Sequence, residues 1–138
     1  MDEVITINGK IISKGSAKGS ALVCPVSVSF YGGINCDTAL VTDIHSPMYN
    51  ENVTGKIMVF PTGKSSTGTS WILYTMGNRG TAPAAIINTE LDPILVMGAI
   101  CGNVPMVHVT EVNPMEVISP GDLVEINGES GVITITKK

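Results

Sequence analysis

The chain has 138 residues, 43% apolar and 14% charged, with a net charge of −4 and three cysteines. That length fits one domain, residues 1–138, with one sizeable core, and an acidic balance with few aromatics excludes a nucleic-acid-binding face. No run reaches the length of a membrane span, the start Met1-Asp2-Glu3 lacks the basic and apolar regions of a leader, and Cys24, Cys36 and Cys101 match neither a zinc ribbon nor a CxxC pair, so a cytoplasmic chain without metal ligands of its own is expected.

Val4 to Ile12 alternates apolar and polar residues early on, as a half-buried strand does. Gly15 and Gly19 mark a turn. Ser20 to Cys24 reads as a second strand stopped by Pro25, and Val26 to Phe30 as a third, broken at Gly32-Gly33. Residues 35–56 are polar and turn-rich, with one short strand at Ala39-Leu40-Val41.

The rhythm then changes. Ile57 to Phe60 is a fully apolar strand, Thr67 to Arg79 a helix with Gly80 beyond its end, and Ala84 to Ile87 another apolar strand. Asp92-Pro93 supplies an N-cap and a proline at the first helical position. The helix it opens, Pro93 to Cys101, is apolar nearly all round and should be buried. Gly102-Asn103 ends it, and Pro105 to Val109 forms the next strand. This β-α-β-α-β order predicts parallel strands with right-handed crossovers. Met115 to Ile118, Leu123 to Ile126 and Val132 to Thr136 read as three closing strands, with turns at Pro120-Gly121 and Asn127-Gly128. The fold class is therefore α/β: a parallel β/α centre flanked by antiparallel strands from both termini, the pattern of the swivelling β/β/α fold.

The densest chemistry lies between the first apolar strand and its helix, in Pro61-Thr62-Gly63-Lys64-Ser65-Ser66-Thr67-Gly68-Thr69-Ser70. A glycine- and hydroxyl-rich loop that opens a helix places N–H groups and hydroxyls at the positive end of the helix dipole, and Lys64 adds a cation. Such a loop can hold a carboxylate or phosphate, or stabilise a developing oxyanion. A capped helix start is the plainer alternative, with Ser66 as the cap. A P-loop is excluded, because Met58 stands where its first glycine is required. A nucleophile elbow is excluded too: Lys64 precedes Ser66 and Thr67 follows Ser65 where GxSxG needs glycine. Neither His45 nor His108 sits in a metal-ligand pattern.

Several segments, in one order, resemble the small subunit of the aconitase X-type dehydratases, hydro-lyases of the aconitase superfamily. They are Gly15 to Val23, Ser29-Phe30-Tyr31-Gly32-Gly33-Ile34, Gly55 to Pro61, Gly63-Lys64-Ser65-Ser66, Asn78 to Ile87 and Asp92 to Ile100. The resemblance spans about Gly9 to Ile133. It implies a swivelling domain that closes over a large subunit, and a [4Fe-4S] cluster ligated by that large subunit and not by this chain. It implies that Ser66 is the base, with Gly63, Lys64, Ser65 and Thr67 around the substrate. Here Ser65 replaces a glycine common in the family's loop, which leaves Ser65 as the second candidate base. The implied reaction is dehydration of a hydroxy acid, with (R)-5-phosphomevalonate as the first choice and cis-3-hydroxy-L-proline as the second. The cluster would act as a Lewis acid on the leaving hydroxyl.

Two other classes compete. A phosphohistidine-type swivelling carrier domain shares the fold, and Gly121 to Val132 resembles its ending. That domain needs a histidine in its glycine-rich loop, and the loop here has none; His108 falls in a later strand. A non-catalytic interaction module would suit the low charge content equally.

Overall fold

The computed structural model describes residues 3–64 and 67–138, without the side chain of Thr67. Eight strands and three helices follow in chain order: β1 (Val4–Asn8), β2 (Lys10–Ser13), β3 (Ala17–Val23), β4 (Ile57–Phe60), α1 (Thr67–Arg79), β5 (Ala85–Asn88), α2 (Pro93–Cys101), β6 (Met106–His108), α3 (Pro114–Val117), β7 (Leu123–Ile126) and β8 (Val132–Thr136).

The strands form one sheet in the order β1-β8-β7-β3-β4-β5-β6-β2. Strands β3, β4, β5 and β6 run parallel, while β1, β8, β7 and β3 are antiparallel. The parallel centre and antiparallel flanks expected from the sequence are thus present. The two ends of this order, β1 and β2, are consecutive in the chain and separated by Gly9 alone. The sheet therefore curls until one bent segment pairs with β8 on one side and β6 on the other. Gly9 is the corner: a side chain there would lie 2.1 Å from Val107 Cγ1, so only glycine fits. The single strand expected over Val4 to Ile12 is broken for this reason.

Curling divides the apolar residues into two cores. Alternate residues of β4 and β5 serve opposite faces, as a buried parallel strand requires. Ile57, Val59, Ala85 and Ile87 face inward with Val107, Val124, Ile126, Ile133 and Ile135. Met58, Phe60 and Ile86 face outward and pack beneath Leu73 and Met76 of α1, Leu95 and Ala99 of α2, and Val28, Phe30 and Val53 of the 24–56 excursion.

Helices α1 and α2 approach through glycine. A side chain on Gly98 would meet Ser70 Cα at 2.8 Å, and one on Gly77 would meet the Gly102 carbonyl oxygen at 2.1 Å. These contacts rise together along both helices, so α1 and α2 run parallel and both begin at the same end of the sheet. Helix α2 matches its expected bounds and its Asp92 cap, but it is not buried all round. Met97 is 60% exposed and Ile100 52% exposed. Only the side carrying Leu95, Gly98 and Ala99 is covered, because the backbone-to-backbone approach leaves nothing above the outer face.

Other expectations change. Residues Met115 to Ile118 belong to the short helix α3 and its cap, since Asn113 Oδ1 accepts from Met115 N at 3.1 Å and Pro114 pre-sets the turn. Val26 to Phe30 makes a single parallel bridge, Val28 to Gly63, rather than a strand. Ala39 to Val41 makes only isolated bridges, with Ala39 at φ +62°. The β7–β8 hairpin forms, but its loop is longer than Asn127-Gly128: Gly131, at φ +80°, closes it by donating to the Asn127 carbonyl.

One buried ion pair ties the ends together. Asp122, 1% exposed, accepts from Lys137 Nζ, from Ser119 N at 2.8 Å and from Lys138 N at 3.0 Å. Burial alone would raise the Asp122 carboxyl, but the Lys137 side chain and the two backbone donors outweigh it and hold the pKa below the usual value. The sign follows: a depressed folded pKa gives stability that is complete above the ordinary carboxylate range and lost as pH falls through the folded value. Asp122→Ala should lower unfolding free energy by about 2–3 kcal/mol at neutral pH and flatten the acid limb of the stability profile, both readable by urea denaturation across pH.

Candidate functional site

The carboxyl ends of β4, β5 and β6 open to one side, the usual place for a site in a parallel sheet. The end of β4 is held from both flanks. Pro61 O accepts from Thr89 N at 3.1 Å, Glu90 N at 3.0 Å and Thr89 Oγ1 at 3.3 Å. Phe60 O accepts from the fully buried Asn88 Nδ2 at 2.9 Å. On the other flank Val28 N donates to Thr62 O, and Lys64 N donates to Val28 O, each at 3.1 Å.

Gly63 is buried over the start of α2. A methyl group there would sit 3.0 Å from Leu95 Cδ2 and 3.1 Å from Asp92 Oδ2. Asp92, 4% exposed, caps α2 by accepting from Ile94 N through Oδ1 at 3.2 Å. On the far side of the loop the buried Thr69 reaches back, its Oγ1 donating to Lys64 O at 3.4 Å. The chain enters the loop at a glycine pressed onto α2 and leaves it as α1, which opens at Thr67. Ser65 and Ser66 lie outside the described residues. The ring of Tyr31, from the Phe30-Tyr31-Gly32-Gly33 landmark, lies against the first turn of α1: a side chain on Gly68 would meet it at 2.2 Å.

Lys64 is exposed, and it borders a cleft of about 90 Å³ lined also by Ser27, Ser29, Asp43, His45 and Ser46. These side chains are turned by local bonds: Asp43 Oδ1 accepts from His45 N at 3.0 Å, Ser46 Oγ accepts from Met48 N at 3.1 Å, and Ser29 Oγ donates to Tyr31 O at 2.8 Å. The arrangement joins a cation, a histidine, a carboxylate and several hydroxyls at the rim of the loop. It suits a small polar ligand with an anionic group. Of the expected site residues, Lys64 borders this cleft, Gly63 is buried against the start of α2, and Thr67 begins α1. Ser27, Asp43 and His45 carried no motif, since they come from a loop far from Lys64 in sequence.

His108 is elsewhere. It lies in β6 with Nε2 hydrogen-bonded to Thr89 O at 2.9 Å, joining β6 to the end of β5. A wider groove at the ends of β5 and β6 is lined by Thr89, Thr110, Glu111 and Asn113, with Glu111 Oε1 accepting from Asn8 N at 2.8 Å; it contains no cation.

The described residues do not fit an iron–sulfur cluster. No group of three His, Cys, Asp or Glu side chains among them could hold a metal. Cys24 is in the core, Cys36 lies beside Arg79 and Cys101 is exposed at the end of α2. No helix among them is long and apolar enough to cross a membrane.

Asp92 is both cap and floor. Asp92→Asn keeps a capping oxygen, whereas Asp92→Ala removes it at a cost of about 1 kcal/mol. Thermal denaturation should therefore rank the two variants with Asn close to wild type and Ala clearly below it.

A family model described as the aconitase X swivel domain matches residues 6–135. The small subunit of phosphomevalonate dehydratase from Methanocella arvoryzae is 41% identical over 130 residues, covering 94% of this chain and 98% of that one. Its counterpart from Methanosarcina acetivorans is 38% identical over 133 residues, covering 96% and 92%. The crystal structure of Thermococcus kodakaraensis aconitase X in its holo-form superposes with a TM-score of 0.88 at 35% identity, covering 95% of this chain and 98% of that one. With the family match over nearly all of its length and that superposition, this chain belongs to the aconitase X swivel-domain family.

Proposed function

We propose that this chain is the small subunit of a two-subunit hydro-lyase that dehydrates (R)-5-phosphomevalonate to trans-anhydromevalonate 5-phosphate. The observation that carries the reading is near-full-length similarity, 38–41% identical, to relatives named as that enzyme's small subunit. The geometry supports it: Thr62 and Lys64 are held by backbone bonds to Val28 where β4 leads toward α1, and the exposed Lys64 borders a polar cleft that suits an anionic substrate.

In such a dehydration a base takes a proton from the carbon next to the carboxylate, the electron pair forms the C=C bond as the neighbouring C–O bond breaks, and the departing hydroxide becomes water by taking a proton from solvent, to which the base later releases its own. We assign the base to Ser66, with Ser65 as the neighbouring hydroxyl. A serine alkoxide is costly in water. Closure against a partner and the N–H groups at the start of α1 would lower that cost. Gly63, Lys64, Ser65 and Thr67 are assigned to substrate binding, with Lys64 meeting a carboxylate or phosphate oxygen. The large subunit is assigned the [4Fe-4S] cluster, as expected for the aconitase-type relatives.

The test is reconstitution with the large subunit and an assay for loss of water from phosphomevalonate. Ser66→Ala should assemble normally and lose about 10²- to 10⁴-fold in kcat, the usual weight of a general base. Ser65→Ala should keep most of the activity. Full turnover by Ser66→Ala would end its role as base. Lys64→Ala should raise KM by roughly tenfold, the equivalent of one lost charge-assisted contact, while kcat changes little. An unchanged KM would remove Lys64 from the binding set.

A further inference from the structure

We infer that the outer face of the α1–α2 pair is the docking surface for the large subunit, with Trp71 and Met97 as its anchors. This rests on the two-subunit reading above and adds where the subunits meet.

Trp71 is 65% exposed, Met97 60%, Ile100 52% and Tyr74 39%. Trp71, Tyr74, Met97 and Cys101 line one shallow groove between the two helices. The Trp71 and Tyr74 rings tilt against each other with centroids 6.0 Å apart, so they form one apolar body. The groove is a product of the glycine contacts. With Gly98 against Ser70 and Gly102 against Leu73, the backbones touch, and the large side chains on either side are displaced outward. Helices α1 and α2 hold 13 and 9 residues, and Arg79, at the far end of α1, is their one charged side chain. An apolar surface of Trp, Tyr and Met without charges is what the centre of a protein interface contains, and it is uncommon on a surface that stays in water.

The position of this face names its occupant. Both helices begin at the carboxyl ends of the parallel strands, where Gly63 and Lys64 lie, because the α1–α2 contacts run in parallel register. Trp71 and Met97 are each about one turn into their helices, toward the end where the loop leads into α1. A large subunit that completes the site at Lys64 approaches this end of the molecule, and the groove begins at Ser70 with no charged residue in its lining. The partner surface it fits is apolar and uncharged, able to take an indole and a thioether.

The test measures assembly rather than turnover. The full chain is titrated with its large subunit, alone and as Trp71→Glu, Met97→Glu and a control, Val4→Glu, at an exposed position on β1. Far-UV circular dichroism and melting of each isolated chain establish that it is folded. The wild type and the control should bind alike, while Trp71→Glu and Met97→Glu, folded as the wild type, should bind at least 100-fold more weakly. Wild-type-like binding by both groove variants would overturn the assignment and leave the two-subunit reading intact. So would a wild-type chain that is a dimer by light scattering, made monomeric by Met97→Glu with large-subunit binding unchanged; the occupant would then be a second copy. Failure of the wild type itself to bind would sink the two-subunit reading, and this surface with it.

Discussion

The site depends on how the end of β4 is held. A chain leaving a buried parallel strand exposes carbonyl groups that must find donors. Here the donors come from both neighbours: Thr89 and Glu90 on the Pro61 carbonyl, Asn88 on that of Phe60, and Val28 on that of Thr62. Those bonds fix Pro61 to Lys64 at the mouth of the sheet. Gly63 then lies flat on the first turn of α2, where any side chain would press on Leu95 and Asp92. The position of Lys64 and the start of α1 follow from that contact.

The same geometry separates structural from chemical roles. Asn88, Asp92 and Thr69 are buried polar residues under or beside the loop, and each bonds to backbone at an element end. They set the loop's place. Lys64 and His45 are exposed and border the polar cleft. The antiparallel half of the sheet has a different task. Its strands close the curl through Gly9, and the Asp122–Lys137 pair fastens the C-terminal end to the turn before β7. This half leaves the parallel half and its loop free to meet a partner.

A swivelling domain of this size has two surfaces in demand, the loop and the face that positions it against another subunit. In the docking proposed above, close helix packing through Gly77, Gly98 and Gly102 supplies the second without added chain length. The outer sides of α1 and α2 carry apolar groups, with Arg79 their one charged side chain, which contributes to the low charge content.

Much of the fold was legible in the chain itself, wherever the cause is local. Four apolar residues at Ile57 to Phe60 must be buried on both faces, and Asp92-Pro93 can start only a helix, so the β-α-β-α-β order and the bounds of α2 were determined by the sequence alone. That a loop joins Phe60 to a helix opening at Thr67 was legible, because glycine and hydroxyl residues between an apolar strand and a helix mark a turn and a cap. Tertiary structure decided the rest. Val26 to Phe30 alternates like a strand, yet it makes only the bridge to Gly63, because the backbone groups at the β4 end need Val28 as a partner there. Asn113-Pro114 turned an apparent strand into α3. The exposure of Met97 and Trp71, and the placing of His45 and Lys64 on one cleft, depend on contacts between residues far apart in sequence. Periodicity reports how many faces of an element are apolar, and only the packed molecule decides which of those faces is covered.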